Sequence, residues 1–170
     1  MKQNNIILVG MMGAGKTTIG KELLNVLKDY TLIDMDSEIE NREKMKISEI
    51  FEKYGEKHFR ELETNLLKEL SKNQNQIIST GGGVFEKEEN RNILKETGTV
   101  FYLKASAEKL FDRIKSQTHR PLLQQGFRVE KVKSILDNRE ANYSKADIII
   151  DTENKLPQNI VKRIVEEGNL

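Results

Sequence analysis

The chain has 170 residues, 36% hydrophobic and 32% charged, a balance that fits one folded domain and excludes a disordered chain. Lysine and arginine number 28 against 27 acidic residues, so the net charge is +1 and lacks the basic excess that nucleic-acid binding requires. With no cysteine there are no disulfides, thiolate metal sites or cysteine nucleophiles, and a cytoplasmic address is permitted.

The first apolar run, 6–9, reads as a buried strand. It lies in an uncharged stretch, 3–15, that is too short to span a bilayer, as is a second one at 73–85, so no membrane partner is expected. Next comes Gly10-Met11-Met12-Gly13-Ala14-Gly15-Lys16-Thr17, a full match to G-x-x-x-x-G-K-S/T with Gly13 added. Glycines let backbone N–H groups turn inward around phosphate oxygens, and the following helix points its positive end at the same place. Lys16 can reach the β- and γ-phosphates of a nucleoside triphosphate, and the Thr17 hydroxyl can ligate Mg²⁺. The alternative, a glycine-rich turn with an accidental lysine, does not account for its position between a strand and a predicted helix at 15–28.

The second strand, 31–33, leads into Asp34-Met35-Asp36. At the carboxyl end of a parallel strand these carboxylates face the ligand crevice, where one can serve Mg²⁺ and the other a substrate hydroxyl. The competing reading is a solvated turn or an N-cap for the next helix.

Helices are predicted at 35–44, 47–54 and 58–72. In the last, Phe59, Leu62, Leu66, Leu67 and Leu70 form one stripe, with Glu63 inside it and Arg60 at its edge. The two are three residues apart, so either they form a structural ion pair or Glu63 aims Arg60 at an anion.

A strand at 76–79 is followed by Thr80-Gly81-Gly82-Gly83. That run is either a plain turn or a shelf of bare backbone on which a ligand can lie. Ser79-Thr80 stands where P-loop proteins usually carry an acidic residue. A helix at 86–96 and a strand at 99–103 follow, then a helix at 106–117 with Ser106 as N-cap and Arg113 on either a solvated face or a base.

The stretch 116–126, with Pro121 and Gly126, reads as a loop between two helices. Its Arg120 is either a solvated charge or an arginine that closes over the γ-phosphate. His119 reads as a surface histidine. In the helix at 128–141, Val132, Ile135 and Leu136 mark the inner face and Arg139 points the same way, toward an anion or snorkelling along the core. A strand at 147–150 and a helix at 157–167 complete the chain. Short apolar strands alternating with helices predict an α/β fold, a parallel sheet covered on both faces.

The P-loop, Asp34-Met35-Asp36, Phe59-Arg60-Glu61-Leu62-Glu63, the triple glycine, Arg120-Pro121-Leu122-Leu123, and Arg139 with Tyr143 occur in an order that resembles the shikimate kinase family. These are small P-loop kinases of chorismate and aromatic amino-acid biosynthesis. The resemblance implies a three-layer α/β/α P-loop fold with a five-stranded parallel sheet, a single kinase domain over 1–170 and a lid at about 116–126. It implies phosphoryl transfer from ATP to the 3-hydroxyl of shikimate, giving 3-phosphoshikimate and ADP.

It places the shikimate carboxylate between Arg60 and Arg139, and Asp36 and the Gly82 backbone at the ring hydroxyls. ATP would meet Gly13, Ala14, Gly15, Lys16, Thr17 and Thr18, with Arg113 and the segment 151–157 bordering adenine and Arg120 on the lid. Mg²⁺ would sit at Thr17 with Asp34 near. Lys155 stands where relatives often have arginine, and lysine does not stack as guanidinium does. Asp36 is the candidate base, with Lys16 and Arg120 offsetting transition-state charge.

Two other readings fit a P-loop. One is a kinase for another small hydroxy acid, such as gluconate, which the two arginines on different helices argue against. The other is a nucleotide-dependent binding module without phosphoryl transfer. A monomer is the default expectation for the assembly.

Overall fold

In the structure, a computed structural model, the description covers residues 4–115 and 128–170. Five parallel strands, β1 (Ile6–Val9), β2 (Thr31–Asp34), β3 (Gln76–Ser79), β4 (Thr99–Lys104) and β5 (Ile148–Asp151), form one sheet in the order β2-β3-β1-β4-β5. The predicted strands are therefore all present, and all pairings are parallel.

Among the described residues, seven helices flank them: α1 (Lys16–Val26), α2 (Met35–Glu43), α3 (Ile47–Leu70), α4 (Glu88–Thr97), α5 (Ala107–Ile114), α6 (Val129–Tyr143) and α7 (Pro157–Gly168). β1 is the central strand, and Ile6, Ile7, Leu8 and Val9 are all fully buried, as covered parallel strands require. Truncating any one of them to alanine would cost about 2–5 kcal/mol. No helix among the described residues is long and apolar enough to cross a membrane.

The strand order places a topological switch beside β1, because β1 is followed in sequence by β2 yet lies against β3 and β4. Ligands of open α/β sheets bind where the carboxyl ends of the strands part at such a point. The P-loop, Asp34 and the triple glycine all follow directly from carboxyl ends: β1, β2 and β3 respectively.

The helices expected at 47–54 and 58–72 are both present as the two halves of α3, which is interrupted at Gly55, whose φ of 82° and ψ of 168° are not helical. Two boundaries differ from the sequence reading. Residues Val84–Glu86 form a 3₁₀ turn ahead of α4, because Arg91 Nη1 caps the Phe85 and Glu86 carbonyls at 2.8 and 2.6 Å. α6 runs on to Tyr143, whose buried ring gives its last turn an apolar anchor. Ser106 caps α5 as expected, accepting from the Lys109 amide at 3.4 Å. The loop expected at 116–126, Arg120 and His119 included, lies outside the described residues.

Candidate active site

A cleft of about 620 Å³ opens at the carboxyl edge of the sheet. One end is the P-loop. Gly13 and Gly15 take φ values of 80° and 92°, the left-handed region that glycine enters without strain, and Gly15 hands the chain directly into α1. Helix α1 has no side-chain cap and no acidic residue in its first turn, so its leading N–H groups and dipole are left to an anion.

The Lys16 ammonium donates to the Gly10 carbonyl at 2.8 Å and the Met11 carbonyl at 3.1 Å, which folds it over the loop it serves. Gly15, Lys16, Thr17 and Thr18 all line the cleft. Ala14 is buried, and its N–H closes a turn on the Met11 carbonyl at 3.1 Å. Gly13 lies on the cleft and also against α5. A Cβ there would come 2.6 Å from the Ile114 side chain, and Arg113 Nη1 donates to the Gly13 carbonyl at 3.1 Å. Arg113 thus braces the phosphate loop from behind while lining the same cleft.

Thr17, Asp34 and Ser79 meet at the mouth of the loop. The Thr17 hydroxyl donates to Asp34 Oδ2 at 2.5 Å and lies 3.5 Å from Ser79 Oγ. Asp34 Oδ1 also accepts from the Ser37 amide at 3.1 Å and so caps α2. Asp34 is thus the helix cap that was one of its sequence readings, while its second carboxylate oxygen faces the Thr17 hydroxyl. This oxygen-only set fits Mg²⁺, a hard cation that takes few protein ligands and completes its shell with water and phosphate. Because the Thr17 hydrogen is already directed at Asp34, its lone pairs are left for the ion.

The other end of the cleft carries Asp36, Arg60, Glu63 and Arg139 around the triple glycine. A Cβ on Gly81 would fall 2.7 Å from Glu63 Oε1 and 2.9 Å from Asp36 Oδ1. On Gly82 it would fall 3.2 Å from Arg139 Nη1, and on Gly83 2.6 Å from Arg60 Cζ. Each glycine is therefore bare because a different functional side chain lies against it. Arg60 is held from two sides, by Glu63 Oε2 at 2.8 Å and Glu56 Oε1 at 3.0 Å.

Glu63 is buried, and burial pushes its carboxyl up to about 7, with Arg60 pulling it down and Asp36 adding to the rise. Arg139 Nη1 reaches the Met11 sulfur at 4.0 Å, so α6 touches the P-loop. Phe51 and Phe59, ring centroids 5.0 Å apart, join Ile47 as an apolar wall. The chemistry on offer is a triphosphate cradle facing two fixed cations, a carboxylate and an apolar face wide enough for a small ring.

The structure brings together Gly13, Gly15, Lys16, Thr17, Thr18, Asp34, Asp36, Arg60, Gly82, Arg113 and Arg139 on this one cleft. Lys155 stands apart. Its ammonium donates to the Asp151 carbonyl at 2.8 Å and lies 3.8 Å from that residue's carboxylate. Sequence reasoning passed over the Phe51 wall and Glu56, and it named Tyr143 beside Arg139 without giving its hydroxyl a role. Only Tyr143 gave a signal, as a polar-tipped aromatic one turn beyond Arg139.

A P-loop after a central parallel strand, with the Thr17–Asp34 pair at its mouth and a pocket lined by two arginines beyond it, defines the class: a P-loop phosphotransferase acting on a small molecule. The model of the family described as "Shikimate kinase" matches residues 12–168. A shikimate kinase of Thermodesulfovibrio yellowstonii is 42% identical over 163 residues, covering 96% of this chain and 94% of its own. One of Enterococcus faecalis is 43% identical over 166 residues, covering 96% and 97%. A structure titled as a shikimate kinase from Acinetobacter baumannii in complex with shikimate aligns over 97% of this chain and 92% of its own, at 37% identity and a TM-score of 0.92. The chain belongs to the shikimate kinase family. A gluconokinase from Sinorhizobium meliloti, at 14% identity and a TM-score of 0.64, shares the fold alone.

Proposed function

We propose that this chain transfers the γ-phosphoryl group of ATP to the 3-hydroxyl of shikimate, giving 3-phosphoshikimate and ADP. One observation carries the reading. Arg139 and Arg60, from two different helices, lie against adjacent glycines in the same cleft as the P-loop lysine. Two convergent guanidiniums beside one carboxylate suit a ligand with one carboxylate and several hydroxyls.

In this reading Lys16 and the P-loop amides bind the phosphates and hold the γ-phosphoryl group toward the acceptor. Thr17 and Asp34 would hold Mg²⁺, which supplies charge neutralisation at the phosphates when bound. Arg60 and Arg139 grip the substrate carboxylate, and Glu63 keeps Arg60 from swinging away. The ring then lies along Phe51 and Phe59. Asp36 accepts the proton of the attacking hydroxyl at its carboxylate oxygen. Arg120 offsets charge as the phosphoryl group moves.

The test is ADP release from the purified chain with and without shikimate, and with gluconate as the rival acceptor. Release that depends on shikimate and ignores gluconate is expected. Slow hydrolysis indifferent to shikimate would make the chain a nucleotide-dependent module.

A further inference from the structure

The Tyr143 hydroxyl holds two elements of the acceptor site at once. It donates to the Gly82 carbonyl at 2.5 Å, and the Arg139 guanidinium acts on the same oxygen, favouring its charged form. A phenol has one hydrogen, so with that hydrogen committed to Gly82 it presents only its lone pairs to the guanidinium. The directions are therefore fixed. The Gly82 carbonyl belongs to the planar peptide joining Gly82 to Gly83, and these two glycines lie against Arg139 and Arg60 respectively.

The ring itself is immobilised. Tyr143 is fully buried and stacks on Tyr102 with centroids 5.0 Å apart and planes 24° apart. Burial pushes its hydroxyl up to about 12, with Arg139 pulling the other way, so the donating hydrogen is present throughout the neutral range. Core packing explains the ring but not the oxygen. A phenylalanine would fill the same space, and a buried hydroxyl costs free energy unless both its bonds are made.

We propose that Tyr143 is a positioning residue for the acidic substrate: its hydroxyl couples Arg139 to the Gly82–Gly83 peptide, so guanidinium and glycine shelf meet the substrate carboxylate and ring hydroxyls in one fixed geometry. The proposal rests on the shikimate reading above.

The experiment is steady-state kinetics on Tyr143→Phe with both substrates varied, beside Tyr102→Phe. The Tyr102 hydroxyl bonds Glu140 at 2.6 Å and does not reach the cleft. Tyr143→Phe should raise the shikimate KM about tenfold while leaving the ATP KM within about twofold. In an Arg139→Ala background the same change should have little further effect, because the two act as a unit. Tyr102→Phe should lower the melting temperature and leave the shikimate KM alone.

Equal rises in both KM values, an unchanged shikimate KM with a lowered melting temperature, or a variant that does not fold would each assign Tyr143 to the core and overturn the proposal. A wild-type chain that does not phosphorylate shikimate overturns the function along with it. A wild-type chain that does, beside a Tyr143→Phe variant of unchanged KM, overturns this proposal alone.

Discussion

Arg60 Nη1 donates to Glu63 Oε2 at 2.8 Å, and Glu63, 1% exposed, turns its other oxygen toward Gly81 with no hydrogen-bond partner among the described residues. The pair is thus the ion pair that was one of the two sequence readings, and it fixes the Arg60 guanidinium at the cleft. It is also unequal. Arg60 is 28% exposed and has Glu56 as a second partner, whereas the Glu63 carboxylate depends on Arg60 for its one hydrogen bond.

That dependence predicts a pH effect on stability. The native Glu63 carboxyl binds its proton up to about 7, against 4.5 for an unperturbed glutamate. The native state therefore holds more protons than the unfolded state between those values, and stability falls as pH rises through the window. The contribution is fully present below 4.5 and lost above 7. It is on the order of 3 kcal/mol. Urea unfolding of wild type and Glu63→Gln from pH 4 to 8 checks this. The wild type should lose ground to the variant across the window, and a difference that stays flat with pH contradicts it.

Lys16→Ala should abolish turnover and spare the acceptor site, since the Lys16 ammonium is folded over the P-loop onto the Gly10 and Met11 carbonyls. The rate should drop by about 10²–10³ or more, as for removal of a preorganised cation at a transition state. Calorimetry without nucleotide should give shikimate binding within about threefold of wild type. Lost shikimate binding would mean that the lysine also supports the shelf.

The two aspartates should fail differently. Asp36→Asn keeps the shape but removes the proposed proton acceptor, so kcat should fall by about 10²–10⁴. Asp34→Asn keeps a cap for α2, because an amide oxygen can still accept from Ser37, but weakens the Thr17 contact. Its signature should be a raised Mg²⁺ requirement at near-normal saturating rate. Titrating Mg²⁺ in both variants separates them, and a common response would merge the two roles.

Much of this was legible in the chain because the signals are local. Five Ile- and Val-rich runs marked five strands. Helical periodicity put Glu63 inside a stripe, Arg60 at its edge and Arg139 facing inward, and the cleft holds all three. What stayed hidden depends on contacts between distant parts of the chain. The Gly82 carbonyl and the Tyr143 hydroxyl are 61 positions apart, and Arg113 meets Gly13 across 100. No period carries such pairings. The break between the two halves of α3 is local and was legible: Gly55 adopts φ 82° and ψ 168°, a non-helical conformation that glycine enters without strain.

The triple glycine supplies the sharpest test, because which side chain lies against which glycine was invisible in sequence. Gly83 has φ −96° and ψ −5°, a conformation open to any residue, so alanine there meets no backbone strain. What its Cβ meets is the Arg60 guanidinium, with Nη2 and Cζ both 2.6 Å away. The far end of a flexible side chain can swing aside at little cost to folding, but Arg60 would then leave Glu63 and the substrate carboxylate. Gly83→Ala should therefore shift the melting temperature by only a few degrees, corresponding to about 1 kcal/mol or less. Shikimate kcat/KM should fall by about 10- to 100-fold, the loss of one charge-assisted contact, while the ATP KM holds. In an Arg60→Ala background the clash is gone, and Gly83→Ala should then be nearly silent. If Gly83→Ala were as damaging without the arginine as with it, the glycine would serve the backbone and not the guanidinium.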